Sequence, residues 1–181
     1  DECYADYEPT KATRAIQTFV DEHLSNWYVR LCRRRFWKGD YSSDKIAAYQ
    51  TLYRCLEVVA QLMSPVAPFY ADQLFNDLNS ITKKQPVDSV HLSEFPIVDE
   101  KLIDKSLEER MELAQKVSSM VLALRKKVNI RVRQPLQRMM IPATETGLVE
   151  KLESVKSLIL SEVNVKEIEY INDTAGILTK K

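Results

Sequence analysis

"KATRAIQTFVDEHLSNWYVRLCRRRFWKGD", residues 11–40, is the stretch on which the reading of the fold turns. Apolar side chains recur there at Ala12, Ala15, Ile16, Phe19, Val20, Leu24, Trp27, Tyr28 and Leu31. Steps of three and four mark an amphipathic helix, and the spacing predicts one that runs to about Phe36. Gly39 stands where a helix C-terminus calls for a left-handed residue. Pro9, just upstream, suits a first helical turn, where its missing N–H costs nothing. The same stretch places three consecutive arginines between aromatics, in a chain whose formal net charge is zero.

Outward from that helix the pattern stays helical for most of the chain. Ser43 or Asp44 is expected to cap a second helix with Ile46, Tyr49, Leu52, Tyr53, Leu56, Val59, Ala60 and Met63 facing inward. The prolines of "SPVAPF", residues 64–69, interrupt it. A third helix follows from about Pro68 to Leu78. "NSITKKQPVDS" reads as a loop, "SVHLSEFP" as a short extended piece, and a long helix is expected from about Asp99 to Val128. Tyr49, Tyr53, Phe69, Tyr70 and Phe75 are expected in the core or between helices.

After residue 128 the character changes. "NIRVRQPLQRMMIP", residues 129–142, predicts one or two strands near a kink at Pro135. A helix is expected from about Glu145, "VNVKEIEYI" as a strand, and "GILTKK" as the start of another. The expected fold class is mainly α: an antiparallel helical bundle over residues 1–128, with a small α+β appendage, β-α-β, over 129–181. Both ends read as cuts through a larger protein, with a first bundle helix before Asp1 and the module continuing past Lys181.

A chain of 181 residues with 45% apolar and 29% charged residues can bury a real core and is not a disordered polymer. No apolar run approaches the ~20 residues of a membrane span, and the acidic opening "DECYADYEP" is no signal peptide. Cys3, Cys32 and Cys55 are odd in number and form no CxxC pair, which argues against a disulfide framework or zinc and for a reducing, cytoplasmic setting. His23 and His91 lack partners at ligand spacing, so no metal is expected. Glu108, Glu109 and Glu112 read as a solvated helix face. Neither a glycine-rich phosphate loop nor a nucleophile constellation is visible, so an independent hydrolase is disfavoured.

Charge is segregated even though it sums to zero. No acid lies between Glu22 and Asp40, a window holding Arg30, Arg33, Arg34, Arg35 and Lys38. A second acid-free window, Leu113 to Thr144, holds Lys116, Arg125, Lys126, Lys127, Arg131, Arg133 and Arg138. Such windows point to a polyanionic partner, with a solvated face as the alternative. At 100° per residue, Leu24, Tyr28, Leu31, Cys32 and Phe36 gather on the core side. Asn26, Arg30, Arg33 and Trp37 form a separate line, bordered by Arg34, with Trp27 and Lys38 as neighbours. Guanidinium forks suit phosphates and base edges, the Asn amide pairs with a base, and an indole stacks on one. The competing reading has these arginines serving the helix macrodipole and Trp37 capping a core. Arg35 falls toward the core side and is expected to bond an acid on another helix. In the second window Arg125, Lys126, Arg131 and Arg133 are the candidates for phosphate contact.

"EPTKATRAIQTFVDEHLSNWYVRLCRRRFWKGD" closely resembles the anticodon-binding helical domain of class I isoleucyl-tRNA synthetases, in the branch with "LSNWYVRRSRRRFW". Further similarities follow in family order: "LMSPVAPFYADQLFNDL" to a proline-kinked helix pair, "SVHLSEFP" to the segment after it, and "ALRKKVNIRVRQPLQRMMI" to the helix-to-junction stretch. Leu31 and Cys32 replace the usual Arg-Ser, on the core side of the projection. The family's HIGH-type and KMSKS-type motifs and its editing domain do not occur here. The resemblance therefore implies a region that binds the anticodon stem and loop of isoleucine-accepting tRNA and catalyses nothing alone. No cofactor is implied for it, whereas the parent enzyme would use ATP and magnesium, with catalytic and editing domains in the same chain. DNA and membranes are not implied as partners. A valyl member of the family, and a helical protein-interaction module with basic docking patches, remain as alternatives.

Overall fold

Ile16, Val20, Leu24, Tyr28, Cys32 and Phe36 recur every four residues, and every one of them is buried or half-buried. In an α-helix a step of four drifts about 40° around the axis, so so long a series cannot stay on one face. The backbone resolves the mismatch. In the computed structural model, which describes residues 2–143 and 147–171, α2 (Pro9–Thr18) gives way to a π-helix over Phe19–Val29. Its wider i→i+5 turn keeps the series facing inward. At Cys32 (φ −81°, ψ 0°) the helix breaks, and the short α3 (Arg33–Trp37) follows. The single α-helix expected over this region is thus three segments, because apolar spacing reports the buried face and not the hydrogen-bond register.

The chain divides into two compact units, Asp1–Val98 and Asp99–Lys181. In the first, α1 (Glu2–Ala5) precedes α2, and Pro9 lies in α2's first turn as expected. Gly39, at φ +75°, closes α3. α4 (Ser43–Met63) is capped by Ser42, one residue before the expected position, whose hydroxyl accepts from the Lys45 N–H. α5 (Pro68–Thr82) starts on the second proline of the kink and outruns its expected end, stopping at left-handed Lys83. Ala60, Ala71, Phe75 and Val90 form the core cluster, with Met63, Leu74 and Val87 against it. Val90 belongs to a 3-10 turn, Val90–Leu92, where an extended piece was expected. Phe69 and Tyr70, in the first turn of α5, depart from the expectation of burial: Phe69 is 91% exposed and Tyr70 63%.

The second unit holds α6 (Lys105–Lys127), β1 (Leu136–Pro142), α7 (Leu148–Val163) and β2 (Val165–Ile171). Asp104 caps α6 through the Leu107 N–H at 3.0 Å. The two strands pair in parallel, Leu136 opposite Val165 through Pro142 opposite Ile171, with α7 as the crossover that parallel pairing requires. The buried face of α6, Ala114 and Val117, belongs with Leu152, Val155, Ile159 and Val163 of α7. For that reason the compact units divide before α6, whereas the sequence reading placed the boundary after it, at residue 128. Of the one or two strands expected near Pro135, one forms among the described residues: residues 128–135 form turns, and β1 starts just after Pro135. Glu145 and "GILTKK" lie outside the described residues. The architecture is mainly α with a small α+β part, and no described helix is long and apolar enough to cross a membrane.

Candidate nucleic-acid interface

The first basic window is anchored from beneath. Tyr28 Oη donates to the Ala48 carbonyl (3.1 Å), and Tyr49 Oη donates to the Phe36 carbonyl (3.1 Å), so α4 grips both sides of the break at Cys32. The Phe36 ring lies 5.0 Å from that of Tyr49 and 6.4 Å from that of Tyr28. Arg35 completes the fastening. Its Nε and Nη2 donate to the two Asp44 carboxylate oxygens at 2.8 and 2.7 Å, and Nη2 also reaches the Asp44 carbonyl at 3.0 Å. Lys45 Nζ donates to the Gly39 carbonyl (3.2 Å), which holds the turn after α3.

With its inner face occupied, the segment presents Asn26, Arg30, Arg33, Arg34, Trp37 and Lys38 to solvent. Trp37 is 82% exposed, so it caps no core. Arg33, Arg34 and Lys38 form no ion pair or hydrogen bond through their side chains with any described residue. Trp27 stands apart from this set. It is half-buried, and its Nε1 is enclosed without a hydrogen-bond partner among the described residues.

In the second unit the basic window sorts differently. Lys126, Arg131 and Arg133 are exposed. Arg125 is only 2% exposed, and its guanidinium donates to the carbonyls of Arg131 (3.1 Å), Gln134 (3.0 Å) and Asn164 (2.9 Å). Arg138 is paired across the sheet with Glu169 at 2.6 Å. The α6 terminus closes with left-handed Asn129: its N–H bonds the Lys126 carbonyl and the Ile130 N–H bonds that of Arg125, a Schellman arrangement. Among the described residues no group of three His, Cys, Asp or Glu is placed to hold a metal ion.

Free guanidiniums beside an exposed indole suit a single-stranded nucleic acid. Comparison with known families agrees. Residues 1–140, which include every basic residue of both windows, match the family described as the anticodon-binding domain of tRNA ligase. The chain belongs to that family. Similar proteins include the isoleucine–tRNA ligases of Bacteroides fragilis, 59% identical over 100% of this chain, and Cytophaga hutchinsonii, 58% identical over 99% of it. That of Dehalococcoides mccartyi is 44% identical over 90%. The chain spans 16% of the length of each of these relatives.

In this anticodon-binding domain the structure groups Asn26, Arg30, Arg33, Arg34, Trp37 and Lys38 on one short exposed segment, and leaves Trp27 half inside. For Arg125 the phosphate role does not fit: it is buried, and Nη1 and Nη2 bond backbone carbonyls, because the loop folds back over the end of α6. Tyr41 was missed. It is exposed, and the ammonium of Lys45 lies 4.7 Å from its ring centre.

Proposed function

We propose that this anticodon-binding domain is the part of an isoleucine–tRNA ligase that holds the anticodon stem and loop of isoleucine tRNA. The observation that carries the reading is the cluster of Arg33, Arg34 and Lys38, free of described acidic partners, around the exposed Trp37. Trp37 stacks on an unpaired anticodon-loop base, while Asn26, Arg30, Arg33 and Arg34 contact bases and phosphates. Lys126, Arg131 and Arg133 supply phosphate contacts that carry no sequence choice. The parent ligase, a cytoplasmic enzyme, joins isoleucine to its tRNA with ATP and magnesium on catalytic and editing domains of the same chain. The contribution made here is positional: gripping the anticodon orients the distant acceptor end and selects among tRNAs.

The test is fluorescence anisotropy of labelled isoleucine tRNA with this chain, beside an anticodon-swapped tRNA, over a salt series. Cognate tRNA binds more tightly. Trp37→Ala weakens binding roughly 5- to 150-fold, the equivalent of about 1–3 kcal/mol per stacked base. Arg33→Ala lowers the slope of log affinity against log salt by about one. Equal binding of both tRNAs, unaltered in either variant, sinks the anticodon assignment.

A further inference from the structure

Arg125 is a buried cation with no carboxylate among its hydrogen-bond partners in the described residues. A guanidinium withdrawn from water is costly unless its donors are met; here three backbone carbonyls meet Nη1 and Nη2, while Nε is enclosed without a partner among the described residues. Two of the three, on Arg131 and Gln134, belong to the loop of residues 128–135. The third is on Asn164, which joins α7 to β2 in left-handed conformation (φ +51°). Asn164 adds a tie of its own, as its Nδ2 donates to the Val132 carbonyl at 2.8 Å. Its carbonyl also receives the Leu136 N–H at 3.1 Å, where β1 begins. The carbonyls of residues 131, 132 and 134 are therefore all claimed from within the unit, while the Arg131 and Arg133 side chains stay exposed.

We propose that Arg125, assisted by Asn164, is a positioning residue for tRNA binding: it locks the 128–135 loop so that Arg131 and Arg133 meet phosphates without first being ordered. The inference rests on the phosphate-contact reading of those two arginines given above. The planar guanidinium suits the task because its fork can serve carbonyls from three residues at once, which a lysine ammonium on a flexible stem does poorly. A loop ordered in advance spares the entropy that a free loop loses on binding. Without the lock, the two arginines sample many placements and displace fewer counterions from the tRNA.

Labelled isoleucine tRNA is titrated with this chain between about 50 and 200 mM salt, as wild type, Arg125→Met, the pair Arg131→Ala with Arg133→Ala, and all three changes together. The pair lowers the salt slope by about two. Arg125→Met lowers it by at least half as much, and adding the pair to Arg125→Met then lowers the slope by no more than about one, since coupled residues are not additive. Trypsin provides an RNA-free reading: cleavage after Arg131 and Arg133 is faster by about tenfold in Arg125→Met, because the loop opens locally. Should Arg125→Met fail to fold, Asn164→Gly replaces it, keeping the left-handed backbone and its carbonyl while removing the tie to Val132. A folded Arg125→Met or Asn164→Gly chain with wild-type salt slope and wild-type cleavage overturns the proposal, as does full additivity with the pair. If the pair itself leaves the slope unchanged, the phosphate reading falls and takes Arg125's role in tRNA binding with it; trypsin still shows whether Arg125 holds the loop.

Discussion

Arg33, Arg35 and Arg125 carry the same charge and meet three different fates. Arg33 is exposed without a described acidic partner, Arg35 is clamped by Asp44, and Arg125 is sealed under a loop. Their substitutions should separate accordingly. Arg35→Ala breaks a bidentate pair that is partly open to water and is expected to cost about 1 kcal/mol of stability, read from the urea midpoint. Arg33→Ala is expected to move that midpoint by less than about 0.5 kcal/mol while weakening tRNA binding. The reverse pattern would show that Arg33 is the structural residue. The helical projection foretold the fate of Arg35, because a core-side arginine must find an acceptor. It could not foretell that of Arg125, whose acceptors are backbone carbonyls up to 39 residues away in sequence.

Elements in this protein are set by what they pack against as much as by their own residues. The four-residue series from Ile16 to Phe36 announced a buried face, and the π-helix is the backbone's way of keeping it buried. α5 shows the same dependence through Asp72. Its carboxylate accepts from the Ser89 hydroxyl at 2.6 Å and the Val90 N–H at 2.9 Å, holding the 3-10 turn that delivers Val90 to the core. The Ser89 hydroxyl first, then the Val90 amide, hold its pKa below the ordinary 3.8. A lowered folded-state value means that this stabilisation is complete above about pH 4 and is lost as pH falls through the depressed value. Asp72→Asn is expected to flatten the acid limb of the stability–pH profile below about pH 4. An unchanged acid limb would exclude Asp72 as the latch of that turn.

For the whole molecule, zero net charge hides two basic windows, one in each compact unit. The core of the first unit rests on Phe75, 1% exposed, so Phe75→Ala is expected to cost about 3–5 kcal/mol. Phe69→Ala, at an exposed site, is expected to change stability by less than about 0.5 kcal/mol; helical circular dichroism against urea measures both. Equal losses would mean that Phe69 is covered in solution. The sequence alone was enough for the helical class, the β-α-β order, the Gly39 terminus and the exposed arginine–tryptophan segment, because periodicity, capping and charge segregation are local properties. Tertiary structure alone decided that Phe75 is buried and Phe69 is not, that α6 belongs with α7, and that Arg125 faces inward. Those outcomes depend on contacts between residues distant in the chain, and no local pattern records which partner will arrive.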